Sequence, residues 1–147
     1  LQKVLASYEL QKAREKIFDA VRILSQATSL VSFATLPDNR RTFYIGVSNA
    51  LREPEFSRDP LRASQVVEVL EDTDNFVTTL GKLGLDESVK IFIGKENILP
   101  QIQSCAMVVT EYKIGSHTGF IGVLGPTRMR YPFNRAVVHQ VRDLLYA

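Results

Sequence analysis

One cysteine and two histidines are present in the 147 residues of this chain. A single thiol excludes an intrachain disulfide. Cys105 sits in the apolar run Cys105 to Val109, where it reads as a small buried hydrophobe, and neither it nor Ser104 has a partnered base nearby to make a nucleophile. His117 and His139 are far apart and lack a cysteine or aspartate at ligand spacing, so no metal is expected. No glycine-rich loop matches a P-loop or dinucleotide fingerprint. Gly115, Gly119, Gly122 and Gly125 are scattered over a turn and a strand and precede no helix in the required way. No apolar run approaches the roughly 20 residues of a membrane-spanning helix. There is no apolar leader either, so a reducing cytoplasm is the expected setting. The formal charge of +2 is too slight to argue for nucleic acid, which needs clustered positive charge. These absences predict a chain with no catalysis, no cofactor, no metal and no membrane.

What is present is ordinary for a soluble globular domain: 45% apolar and 23% charged residues. The length suits one domain that buries roughly two-thirds of its unfolded surface. From Val4 to Ala27, apolar or small residues at Leu10, Ala13, Ile17, Ala20, Val21, Leu24 and Ala27 recur every three or four positions, predicting a long helix. Lys12, Glu15, Lys16, Asp19 and Arg22 form its polar face, and Asp19 can meet Arg22 across one turn. The chain opens inside this helix without a methionine, so it is expected to be a piece of a longer polypeptide. Part of the apolar stripe (Leu10, Ala13, Ile17, Val21, Leu24) is a candidate dimer face.

Leu30 to Leu36 and Thr42 to Val47 read as strands joined at Pro37-Asp38-Asn39, an antiparallel hairpin. Ser48 to Pro60 is an irregular connector with Leu51 and Phe56 as apolar anchors. Asp59 caps a helix, with Pro60 in its first turn, that runs to Leu80 and buries Val66, Val69, Leu70, Thr73, Val77 and Leu80. Gly81 and Gly84 close it, and its polar side is acidic. Val89 to Ile93, Cys105 to Tyr112 and Gly119 to Leu124 are three more strands, the last two a hairpin turning at Ile114 to Thr118, where His117 falls. Phe133 to Tyr146 is a terminal helix with Phe133, Val137, Val138, Val141, Leu144 and Leu145 inward and Arg135, His139 and Arg142 elsewhere. Without regular strand–helix alternation, the pattern predicts an α+β fold: an antiparallel sheet packed by helices.

Two stretches stand out. Gly122 lies inside a strand, where close packing of a helix over the sheet is expected, and Gly125-Pro126 punctuates the strand's end. Then Thr127, Arg128, Met129, Arg130 and Tyr131 lead into the last helix. Arg128, Arg130 and Arg135 suit phosphates or acidic side chains, and Arg128 suits equally a carboxylate that locks the turn to the sheet. The second stretch is Gly94-Lys95-Glu96-Asn97, a polar tip after a strand. Asn97 there is expected to satisfy local backbone groups, with Glu96 fixing the loop or meeting a partner's cation.

Gly122 to Tyr131 resembles the C-terminal signature of the bacterial heat-inducible transcription repressor family HrcA at Gly125, Pro126, Thr127, Arg128, Met129 and Tyr131. Ile93 to Asn97 is similar to that family's isoleucine-glycine-x-glutamate-asparagine element, carried here by Gly94, Glu96 and Asn97. Tyr44 to Leu51 and Pro54-Glu55-Phe56 are similar to a further family stretch. The resemblance implies a GAF-like regulatory domain over 29–147 after a linker or interface helix over 1–28. In the family, an N-terminal winged helix binds an operator before chaperone genes, a dimerisation domain is inserted in the GAF-like part, and the chaperonin GroEL keeps the repressor active. This chain lacks winged-helix sequence before Leu1 and has only a tight turn between Leu36 and Thr42, where the family carries more chain. It is therefore expected to act as a regulatory domain and homodimer, with operator DNA read by a separate region. The alternatives are a GAF-type small-molecule sensor or a protein-interaction module with another output.

Overall fold

The computed structural model describes residues 1–36 and 41–146. Its elements are α1 (Gln2–Thr28), β1 (Val31–Thr35), β2 (Thr42–Ile45), α2 (Val47–Arg52), α3 (Pro54–Ser57), α4 (Pro60–Glu71), α5 (Thr73–Lys82), β3 (Lys90–Ile93), β4 (Cys105–Ile114), β5 (His117–Pro126) and α6 (Tyr131–Leu144). Two short 3₁₀ turns, Gly94–Glu96 and Pro100–Ile102, lie between β3 and β4. The strands form one open sheet in the order β2-β1-β5-β4-β3, every pairing antiparallel. Both expected hairpins are present: β1 with β2, and β4 with β5 in register from Cys105 opposite Pro126 to Ile114 opposite His117. The turn expected at Pro37-Asp38-Asn39 lies outside the described residues.

Because side chains alternate across a strand, each face of the sheet carries its own core. On one face Ala34, Ala106, Val108, Ile121 and Val123 meet α1 and α6 through Ile17, Val21, Leu24, Val138 and Val141. On the other, Val31, Phe33, Met107 and Val109 meet α3 to α5 through Phe56, Val66, Leu70, Phe76 and Leu80. Phe33 and Phe76 pack edge-on with centroids 5.1 Å apart, an arrangement aromatic rings favour over face-to-face stacking.

β5 is the middle strand, and a glycine lets it sit there. A Cβ on Gly122 would lie 2.2 Å from the Val108 carbonyl oxygen and 2.9 Å from Val109 Cα. The close neighbour is thus the β4 backbone, with the Phe33 ring behind it, and not a helix as the sequence reading had it. Further along the ladder, Gly119 faces Tyr112, whose ring covers the space a Cβ would need. The Tyr112 hydroxyl donates to the Thr35 carbonyl at 2.5 Å, and burial raises its phenol well above the ordinary value.

α1 ends where Ser29 turns left-handed at φ 57, its N–H bonded to the Ser25 carbonyl. Asp19 and Arg22 meet at 3.2 Å. Ala13, Ile17, Val21 and Leu24 are buried at 3% exposure or less, and the last three of this stripe, expected as a dimer face, pack against the chain's own sheet and α6. Leu10 is half-buried, while residues 1–9 are exposed. Leu51 is also exposed, because the connector around it folds into α2 and α3 and turns only Ala50 and Phe56 inward.

Asp59 caps α4 as expected, accepting from the Arg62 N–H at 3.2 Å. The expected single helix to Leu80 is two. At Asp72 the backbone leaves helical angles (φ −84, ψ 69), in an Asp-Thr-Asp-Asn run whose side chains compete for backbone groups and favour breaks. The break redirects α5 so that Phe76 and Leu80 are buried, leaving Thr73 and Val77 half-buried. In α6, Val138 and Val141 are buried, as is Leu145 just after it, but Phe133 and Leu144 are exposed.

Arg142 is buried too, against the expectation that it points outward. Its guanidinium donates to Thr110 Oγ1 at 3.1 Å, to the Glu87 carbonyl, and to Asp143 Oδ1 at 2.9 Å. These bonds compensate the burial of its charge and clamp the loop before β3 onto β4. In the same loop Asp86 accepts from Ser88 Oγ at 2.5 Å and from its N–H at 2.8 Å.

Gly122→Ala is expected to lower stability by about 1–3 kcal/mol or prevent folding, because backbone must move to admit the methyl. Gly81→Ala, where a Cβ meets nothing within 4 Å, is expected to raise it by about 0.5 kcal/mol; urea unfolding compares the two. The Ser88 hydroxyl, then its N–H, hold the Asp86 carboxyl below its ordinary value. A depressed folded value gives stability that is present above the unfolded value and lost as pH falls through the folded one. Asp86→Asn is therefore expected to be less stable than the parent at neutral pH, the two converging in acid, as read from unfolding midpoints against pH.

Candidate functional site

The two stretches singled out in the sequence come together at one end of the sheet. Ile93 pairs with Ala106, and Ala106 with Gly125, so the Gly94–Asn97 loop and the Gly125–Tyr131 corner lie at the same end of the sheet on either side of β4. Val31 pairs with Leu124, bringing the end of α1 to the same place.

The corner is built inward from Gly125. A Cβ there would come within 2.8 Å of Leu30 and 3.2 Å of Met129 Cε. Met129, 8% exposed, plugs the turn, and its N–H bonds to the Pro126 carbonyl at 3.1 Å. The Tyr131 hydroxyl donates back to the Thr127 carbonyl. Burial first, then the Glu96 carboxylate, raise the Tyr131 phenol above its ordinary value, which couples corner and loop electrostatically.

Arg128 leaves the corner sideways. Its Nε donates to Glu55 Oε1 at 2.7 Å and its Nη2 to Glu53 Oε2 at 3.1 Å, and Glu55, ahead of Glu53, raises its guanidinium further. The carboxylate partner considered in the sequence is thus a pair on the α2–α3 junction, tying Pro54-Glu55-Phe56 to the corner. Sequence reasoning did not name Glu53 or Glu55 as partners, since 75 and 73 residues separate them from Arg128. Arg130 stays exposed, its Cζ 4.4 Å from the Phe133 ring centroid, which accounts for that ring lying at the surface. Arg135 lies away from the corner, on the exposed side of α6 near His139. Between the end of α1, Glu53 and the corner runs an open groove of about 340 Å³, lined by Ser29, Leu30, Arg128, Arg130 and Asn134 among others.

The Gly94–Asn97 loop is held by its own side chains. Gly94 supplies φ 61, which other residues adopt at a cost. Glu96 Oε1 accepts from the Ile93 N–H at 2.7 Å. Asn97, 2% exposed, aims Nδ2 at the carbonyls of Gly94 (3.0 Å), Cys105 (3.1 Å), Ile102 (3.3 Å) and Phe92 (3.4 Å). With two protons, the amide serves two of them at a time. Asn97 thus satisfies local backbone as expected, and Glu96 fixes the loop.

Nothing in this arrangement resembles a reaction centre. Burial pushes the Cys105 thiol up, away from the thiolate form a nucleophile needs. His117 is the first residue of β5 rather than part of a turn, and His139 is exposed beside Asp143 at 3.5 Å. Among the described residues no group of three or more His, Cys, Asp or Glu could hold a metal ion, and no helix is long and apolar enough to cross a membrane. What the geometry performs is joining: three distant segments are locked at one sheet end.

Asn97→Ala is expected to cost about 1–3 kcal/mol, because buried carbonyls lose their donor. Glu96→Gln keeps an acceptor for Ile93 and is expected to change stability by under ~0.5 kcal/mol. Urea unfolding distinguishes them.

A family model described as "HrcA protein C terminal domain" matches residues 2–133. Curated relatives share the name "Heat-inducible transcription repressor HrcA". That of Brevibacillus brevis is 29% identical over 85% of this chain, that of Symbiobacterium thermophilum 33% over 88%, and that of Desulforamulus reducens 35% over 84%. The chain covers 34%, 38% and 34% of their respective lengths, about a third. A solved structure described as "Crystal structure of a hypothetical protein at 2.2 A resolution" matches with TM-score 0.76 at 12% identity, over 90% of this chain and 68% of that one, a likeness of fold alone. The chain therefore belongs to the HrcA family, a family of transcription repressors and not of enzymes, and corresponds to its C-terminal domain.

Proposed function

We propose that this chain is the regulatory and pairing domain of a negative regulator of heat-shock (chaperone) operons. The observation that carries the reading is the family match over residues 2–133. It is supported by the family's signature residues forming a structural lock at one end of the sheet, with no catalytic arrangement there. In this reading the open sheet with helices on both faces is a GAF-like body. Operator DNA is read by a winged helix in another part of the polypeptide, the whole acts as a homodimer in the cytoplasm, and the chaperonin GroEL sustains its active form. Fold alone assigns none of these roles; they follow from the family. Heat would act by loosening or misassembling this domain, so that paired DNA readers lose their spacing.

The inner stripe of α1 is committed to the core, so pairing through this helix would use its outer turns, where Leu1, Val4, Leu5 and Tyr8 are all more than half exposed. Their spacing of three or four places them on one helix face.

The full-length protein is expected to retard a fragment carrying its own chaperone-operon promoter in a gel shift, less so after heating. This chain alone is expected to leave the fragment unshifted. A full-length protein that ignores that promoter sinks the regulatory reading. Replacing Leu5 and Tyr8 together by Glu is expected to shift this chain from dimer to monomer in analytical ultracentrifugation with its circular dichroism unchanged. A dimer that survives places pairing on another surface.

A further inference from the structure

One deeply buried polar side chain has no partner. Asn134, in the first turn of α6, is 3% exposed, and its side-chain amide makes no hydrogen bond among the described residues. The amide is not sealed in, either. It keeps a small opening, and the space it lines is the groove of about 340 Å³ between the end of α1 and the signature corner. Buried amides without a partner are uncommon and unfavourable. Nothing in the fold asks for one here, because a helix position turned inward is ordinarily apolar.

The groups around Asn134 are chiefly donors. No side chain caps α6, and no acidic residue stands in its first turn. The N–H groups of Tyr131 and Phe133 meet no acceptor among the described residues, and a helix start of this kind carries partial positive charge. Side chains on a helix lean toward its start, so Asn134 leans toward Arg130, one turn back. The Arg130 guanidinium rests on the Phe133 ring, with its N–H groups unused by the described residues. Arg128 spends Nε on Glu55 and Nη2 on Glu53, which leaves Nη1 over. The carboxylate on the groove wall, Glu53, is thus already met by an arginine.

We propose that this groove is a binding site for one oxyanion of the phosphate class, held by the Asn134 amide, the start of α6 and the Arg130 guanidinium. Several donors on separate groups suit a ligand with several acceptor oxygens, and a helix start favours negative charge. Ser29 stands on the opposite wall, so a bound phosphate group ties the end of α1 to the signature corner. The site stands independently of the pairing and DNA-reading roles.

The test is a titration of this chain with inorganic phosphate, against sodium chloride at matched ionic strength, followed by amide resonances at neutral pH. Phosphate alone is expected to shift the Asn134 side-chain amide and the Tyr131 and Phe133 N–H signals saturably. Arg130→Gln, at an exposed position, is expected to weaken binding at least tenfold with the circular dichroism unchanged. Asn134→Leu is expected to weaken it as much while unfolding in urea no earlier than the parent, because an amide without a partner gives way to an apolar group. Parent signals that do not move, or move equally with chloride, overturn the proposal. So does either variant binding phosphate as tightly as the parent. An Asn134→Leu chain that unfolds well before the parent assigns the amide to the fold and overturns it too.

Discussion

The whole arrangement depends on the approach of β5 to β4 at Gly122. No residue with a side chain fits between the strand and the Val108 carbonyl. With that gap closed, the ten-position β4–β5 ladder runs uninterrupted, and β5 can stand in the middle with β1 on its other side. Both cores are then built on either face of one plane. α1 and α6 cover the first face and the α3–α5 layer the second, so a change in the spacing of the central pair would be felt by every helix. Protein interiors are packed densely enough to transmit such a shift.

Periodicity made the skeleton legible. The stripe of α1, the two hairpins and the Asp59-Pro60 helix start are local signals, each contained within a few turns of chain. The α4–α5 break at Asp72 was harder to read, because apolar residues continue at helical spacing through it and only tertiary burial of Phe76 decides the new direction. Arg142 shows the same limit from the polar side. An arginine on an amphipathic helix ordinarily points to solvent, and nothing near it in sequence announces the Thr110 hydroxyl and Glu87 carbonyl that allow it inside. Where the stripe of α1 would be buried was equally undetermined: an apolar face does not say whether its cover is the chain's own sheet or a second molecule.

The signature residues could be recognised as a set from the sequence, but their work could not. Gly125, Met129 and Tyr131 shape a turn; Glu96 and Asn97 hold a loop; Arg128 reaches two carboxylates over seventy residues away. Their union at one sheet end results from register, Ile93 opposite Ala106 and Ala106 opposite Gly125, and register is a long-range property. A domain closed by such a lock depends on the integrity of that end more than on any one reactive group.

The uneven footing of α1 carries a thermal consequence. Its inner half is cemented by the core, so it can melt only when the sheet does. Its outer turns have little but their own backbone ladder, and isolated helices that short are marginal in water. Heating this chain is therefore expected to loosen residues 1–9 before the part of the helix that the core holds.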